Sequence, residues 1–321
     1  GRIAVREILL INNEIKDTAH GVYQFRINTD QTKYGFVIGN TTFEVDENGQ
    51  WTATNTLGSS KVIGTTTPYT PMSDAIIRLE ILEGTLTLSV NSLLVGTVQL
   101  DDYAGGNVGV YNPNANEMTL SINALAVEEL RVYKENYEED SWQSLEGNVT
   151  INKGADNVSL KLPGVGKAYD TMSPKVLDHS VSFDFKTDVD ASANGGRYGF
   201  MLRTVNEKEH VAIEHDINGI WRASYAGNEY RFPVTYEMNK DETYHVEASI
   251  IGTNVSFKLT DSAGVTTDFG VVDVKDLTAA GHFGIKSWYG TKTITVSNLK
   301  VIESPTLSSW YLDAVTTSLV N

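Results

Sequence analysis

Apolar residues recur with a period of two along almost the whole chain. VSFDFKT (181–187), RYGFMLR (197–203), HVAIEHD (210–216), VSFKL (255–259) and TITVSNLKV (293–301) alternate as half-buried strands do. TLTLSV (85–90) and MTLSINALAV (118–127) follow the same rule. Turn signals separate the runs: Glu47-Asn48-Gly49, Ile217-Asn218-Gly219 and Ser262-Ala263-Gly264. Helical periodicity is weak, and only AVEELRVYKENYEED (126–140) could pass for a helix. Short strands divided by turns predict an all-β chain built as antiparallel sandwiches.

The pattern is written twice. Tyr34-Gly35-Phe36 matches Tyr198-Gly199-Phe200, and Asp46-x-Asn48-Gly49-x-Trp51-x-Ala53 matches Asp216-x-Asn218-Gly219-x-Trp221-x-Ala223. Gly106-x-x-Gly109 matches Gly281-x-x-Gly284. Three ordered blocks with a slowly drifting offset predict a duplication into two tandem jelly-roll-like sandwiches. The charged stretch from Lys134 to Asp140 reads as the seam. It divides a first repeat over 1–133 from a second over 141–303, with 304–321 as a linker or tail. The first repeat has less chain ahead of its opening strand and reads as N-terminally truncated and structural. The opening GRIAVREILL, without a starting Met, reads as a piece of a longer protein.

Composition narrows the chemistry. With no cysteine among 321 residues, a disulfide framework, thiolate zinc sites and a cysteine nucleophile are excluded. A net charge of −16 argues against nucleic acid or an anionic membrane as partner, since both need a basic face.

Alternation also assigns faces. If Tyr198, Phe200 and Leu202 are core, Arg197, Gly199, Met201 and Arg203 face outward. By the same rule Glu214 and Asp216 lie opposite Val211, Ile213 and His215. Lys286 and Trp288 lie opposite Phe283, Ile285, Ser287 and Tyr289. Arg203, Glu214, Lys286 and Trp288 thus share outer faces, with Tyr289 as a rim residue. An indole plate for C–H faces, with charged groups for paired hydroxyls, is what a sugar site uses. The first repeat keeps Glu44 in place of Glu214 but has Gly39, Tyr111 and Pro113 in place of Arg203, Lys286 and Trp288. Binding is therefore assigned to the second repeat. Trp51 and Trp221, each beside an Asn-Gly turn, read as hairpin anchors.

The order of elements in the second repeat resembles the concanavalin A-like, laminin G-like sandwich. This holds for YGFMLR, the Asn-Gly hairpin with its Trp-bearing strand, YHVEASIIGTNVSFKL and GHFGIKSWYGTKTITVSNLKV. Within that superfamily it most resembles family 66 carbohydrate-binding modules and 3-keto-disaccharide hydrolase-type domains. The resemblance implies a secreted or cell-surface bacterial protein and a catalytic glycosidase domain in the same parent chain. It also implies an oligo- or polysaccharide ligand, with terminal fructose of fructans as the family's association. It further implies a structural calcium, for which Asp184, Asp188, Asp190 and Asn298 offer oxygens. Two rivals stand beside the binding module. One is an enzyme using Glu214 with Asp216, although HExxH, GxSxG and the Glu-x-Asp-x-x-Glu signature of sandwich glucanases are absent. The other is a structural or adhesive spacer.

Overall fold

Alternation becomes strand after strand because each inward residue meets a facing sheet and each outward residue meets water. The computed structural model describes residues 8–12, 20–66, 74–115, 118–190, 196–304 and 315–319. The chain divides into two units, Gly1–Leu130 with Pro305–Asn321, and Arg131–Ser304.

Unit 1 begins with β1 (Ile8–Asn12), β2 (Gly21–Thr29), β3 (Tyr34–Ile38), β4 (Thr41–Val45), β5 (Gln50–Asn55) and β6 (Ser60–Thr65). It continues with β7 (Ala75–Leu82), β8 (Thr85–Val90), β9 (Leu93–Gln99), β10 (Val108–Tyr111) and β11 (Met118–Glu129). Unit 2 opens with β12 (Val132–Lys134), β13 (Trp142–Glu146), β14 (Thr150–Lys153), β15 (Asn157–Leu162) and β16 (Val165–Asp170). Next come β17 (His179–Thr187), β18 (Tyr198–Thr204), β19 (Val211–Asp216), β20 (Ile220–Tyr225) and β21 (Asn228–Thr235). It closes with β22 (Thr243–Ile251), β23 (Asn254–Thr260), β24 (Thr266–Asp273), β25 (His282–Trp288) and β26 (Lys292–Glu303). A last strand, β27 (Val315–Leu319), belongs to unit 1.

Among the described residues all strand pairings are antiparallel. The sheets of unit 1 run β1-β10-β3-β4-β5-β6 and β27-β11-β2-β7-β8-β9. Those of unit 2 run β13-β16-β25-β18-β19-β20-β21 and β14-β15-β26-β17-β22-β23-β24. The orders superimpose strand for strand, with β13 and β14 added at the edges in unit 2 and β12 paired beside β26. The fold is therefore all-β, two antiparallel sandwiches of one plan.

Three expectations change. Residues 126–140 hold no helix: Ala126–Glu129 complete β11, and β12 pairs β26. Nor is the charged stretch 134–140 only a seam, because Tyr137 and Trp142 enter the core of unit 2 and Glu135 is buried there. The tail is more than a linker. Its β27 pairs β11 in the slot that β15 fills in unit 2, so the strand missing ahead of β2 arrives from the far end of the sequence.

Each core is aromatic. Phe25 stacks on Phe36 with centroids 4.1 Å apart in unit 1, and Phe257 on Phe269 at 4.0 Å in unit 2. Trp51 and Trp221 sit as the hairpin pattern anticipates. Each buries its ring and donates its indole N–H across the turn, to Thr66 Oγ1 and to the Tyr236 carbonyl, both at 3.0 Å. His215 replaces the apolar Val45 of unit 1 and lies between Tyr198 and Trp221. Its Nδ1 is 2.5 Å from the Gly196 carbonyl.

Candidate functional site

The outer face of the β18 sheet carries one polar row, set by strand register. Glu146 on β13 pairs with Lys167 on β16, and Lys167 with Lys286 on β25. Lys286 then pairs with Gly199 on β18, Gly199 with Glu214 on β19, and Glu214 with Arg222 on β20. Lys286 and Glu214 are two strands apart, about 9.6 Å by strand spacing. A lysine stem bridges that gap only if nothing rises between. Gly199 leaves the path open, and Lys286 Nζ reaches Glu214 Oε1 at 2.5 Å. From the other side Arg222 Nε donates to Glu214 Oε2 at 3.2 Å. The Glu214 side chain is only 6% exposed, so both oxygens are held in place. Arg222 also meets Asp216 at 3.3 Å and Glu229 at 3.2 Å, and Lys167 meets Glu146.

Gly199 is thus tested directly. A Cβ there would lie 2.4 Å from the Ile213 carbonyl oxygen and 3.1 Å from Glu214 Cα. Gly199→Ala is expected to push β18 and β19 apart at a cost of about 1–3 kcal/mol. It should also part Lys286 from Glu214. Thermal unfolding reads the first effect, and unchanged stability would contradict the tight approach.

Above the row lies a groove of about 550 Å³, bordered by His210, Arg222, Tyr225, Glu229, Lys286 and Trp288 among others. The Trp288 ring is flanked by Lys286 Nζ at 5.3 Å and the Arg222 guanidinium at 5.7 Å from its centroid. Burial, reinforced by the charges of Lys286 and Lys167, pushes His210 down to about 4. It is therefore neutral at pH 7 and adds no charge. Burial works against ionised Asp216, but hydrogen bonding and charge from Arg197, joined by Arg222, hold its carboxyl below the usual range. The groove offers an aromatic plate, a carboxylate fixed by two cations and several remaining N–H donors.

Of the five residues expected here, the structure brings three together: Glu214, Lys286 and Trp288. Arg203 is elsewhere. The pairing of β18 with β25 shifts register between Met201 and Thr204, and Arg203 adopts φ +51°. That bulge breaks the alternation and turns the side chain inward, to 3% exposure. There Nε donates to the Leu177 carbonyl at 2.7 Å, and Nη2 to Asp178 Oδ1 and the Gly252 carbonyl, both at 3.0 Å. Tyr289, expected at the rim, follows the end of β25 with φ +66° and stacks under Arg197 at 4.7 Å, outside the groove lining. Arg222, Lys167 and His210 were missed. Arg222 was within reach, because an Asn218-Gly219 turn places 222 opposite 214.

The residues offered for calcium are turned to other uses. Asp184 accepts from the Asn298 amide N–H at 2.6 Å and contacts His245 Nδ1 at 2.8 Å, while Asp188 accepts from the Thr293 N–H at 2.7 Å. Among the described residues no cluster of three His, Asp or Glu is placed to hold a metal.

The unit 1 row has the same register and a different filling. Tyr111 stands at the Lys286 position against Gly35, Glu44 at the Glu214 position, and Thr52 opposite Glu44 where Arg222 would be. Both cations flanking the carboxylate are absent from that row.

No protein-family model matches the chain, and no curated protein matches it. The chain is similar to solved structures, among them three. The first is peanut lectin, at 13% identity over 60% of this chain and 100% of that one, TM-score 0.42. The second is the exoplasmic/lumenal domain of VIP36, at 10% identity over 56% and 93%, TM-score 0.43. The third is the carbohydrate-binding module CBM66 from Bacillus subtilis, at 17% identity over 51% and 96%, TM-score 0.38.

Proposed function

We propose that unit 2 is a carbohydrate-binding module that holds a sugar in the groove beside Trp288 and performs no covalent chemistry. The observation that carries the reading is the Glu214 carboxylate, fixed by Lys286 and Arg222 next to an indole face. A sugar ring lays its C–H face on Trp288, while neighbouring hydroxyls donate to Glu214 and accept from Lys286 and Arg222. Selectivity follows because a ligand lacking either hydroxyl leaves a charged partner unpaired. Hydrolysis of a glycosidic bond needs a carboxylic acid that keeps its proton near neutral pH, and Asp216 is shifted the opposite way. By the resemblance of its sequence, fructans with terminal fructose are the first ligands to try. The same resemblance supports reading the module as part of a secreted or cell-surface bacterial protein, beside a catalytic domain that it would keep near its polysaccharide.

Isothermal titration with a panel of mono- and oligosaccharides, fructo-oligosaccharides included, tests this. At least one sugar is expected to bind at millimolar concentration or better. Trp288→Ala should weaken it about tenfold, the equivalent of roughly 1.4 kcal/mol of stacking. Glu214→Gln should weaken it further. A panel without a binder, or an affinity indifferent to Trp288, sinks the reading.

A further inference from the structure

Strand β27 covers the β11 edge of unit 1. Five positions pair, from Met118 opposite Leu319 to Ile122 opposite Val315. Met118 and Leu120 of β11 are fully buried in the unit 1 core. A bare β11 would present a row of unpaired backbone N–H and C=O groups beside that core. In unit 2 the same slot beside β26 is filled by β15, which β14 holds on its other side. Among the described residues β27 is paired on one side only, and all of unit 2 separates it from β11 in the sequence.

These facts make β27 a removable part. A five-residue edge strand belongs to the least stable level of a fold and opens without global unfolding. The backbone bonds it makes are the same whichever copy supplies it, as in strand addition to any open edge. We infer that the β11 edge is a strand-acceptor site whose partner is a second copy of this chain: β27 of each copy docks on β11 of the other. Because each copy gives and receives the same element, the exchanged pair is closed and two-fold. The tethered strand of the same copy competes with the strand of the other, so exchange grows as the protein concentration rises.

The absence of native cysteine makes the test clean. Full-length Thr119→Cys is mixed with a size-tagged full-length Ser318→Cys, two positions that face each other across β11 and β27. The mixture is held at about 1 mM and gently oxidised. The next opposed pair, Ser121→Cys with Thr316→Cys, repeats the test at the other spacing. The expected result is a covalent heterodimer at least tenfold above the homodimer background of either variant alone, lost when Thr317→Pro is added. A chain carrying both cysteines of a pair should close on itself when dilute. If it closes and the mixtures give no heterodimer, the strand stays at home and the inference fails. Heterodimer that survives Thr317→Pro, or no closure at either pair, overturns it as well.

Discussion

Arg203→Ala is expected to cost unit 2 about 3–5 kcal/mol and to leave sugar affinity within twofold of wild type. The side chain is 4% exposed, and its guanidinium ties the Leu177–Asp178 segment to the Gly252 turn. Asp178 Oδ1 also accepts from the Gly252 N–H at 2.8 Å, so the carboxylate is the hinge of the clamp. Truncation leaves that carboxylate without its counter-charge, held by the Gly252 N–H alone, and two carbonyls without the guanidinium donor, which is where the cost arises. Backbone geometry adds a second, separable effect. Arg203 holds φ +51°, and the matching position of unit 1 is Gly39 at φ +56°. Glycine tolerates that conformation and alanine does not, so Arg203→Gly should be about 1 kcal/mol more stable than Arg203→Ala. Urea unfolding of the three proteins reads both differences. A loss of affinity without a loss of stability would return Arg203 to the groove and refute its placement.

Arg203 also shows where reading a sequence by alternation stops. Period two identified the strands and both cores. It put Glu214, Lys286 and Trp288 on one face, because β19 and β25 run regularly through those residues. It fails where a bulge inserts a residue, since every later side chain then changes face. The only sign of the bulge was an arginine aligned with Gly39, a glycine that marks positive φ. Gly199 was legible as a repeat and not as a passage for Lys286, because the need for an empty position appears only when three strands lie side by side. The tail was illegible for a different reason: strand pairing across all of unit 2 has no local signal. The stretch 134–140 looked like a seam because its charged residues read as solvated, whereas Glu135 is buried among donors.

That buried acid leads to the second large effect. Asp170→Asn is expected to stabilise unit 2 by about 2–4 kcal/mol at pH 7.5 and by little or nothing at pH 4. Asp170 is fully buried, and the Tyr133 hydroxyl lies 2.6 Å from Glu135 Oε2 and 2.9 Å from Asp170 Oδ2. One hydroxyl proton serves one acceptor. Glu135 also receives the Tyr137 N–H at 3.0 Å and the Ser141 hydroxyl at 3.1 Å, so it is the ionised member. Asp170 is therefore the member that keeps its proton. Burial, then the neighbouring Glu135 carboxylate, lifts Asp170 to about 7 from an ordinary 3.8. Burial opposes ionised Glu135 too, but its hydrogen bonds from Asp170, Tyr133, Tyr137 and Ser141 outweigh that and lower it. For a carboxyl raised by folding, the stabilisation is complete below the unfolded value and is lost as pH climbs to the folded one. Here that window runs from about 4 to about 7, at up to roughly 1.4 kcal/mol per unit. Glu135 runs in the opposite sense, losing its contribution as pH falls. Asparagine keeps the Oδ1 that accepts the Met172 N–H at 3.0 Å and sets an N–H where the carboxyl proton was, without titrating. His179 and His210, pushed by burial to about 4, lose stability as pH falls below 6.5 in both proteins and cancel in the difference. Urea unfolding of wild type and variant at pH 4, 5.5 and 7.5 should give a difference that grows with pH. A difference that is flat across the three would mean that Asp170 folds ionised, and the proton assigned to it would be misplaced.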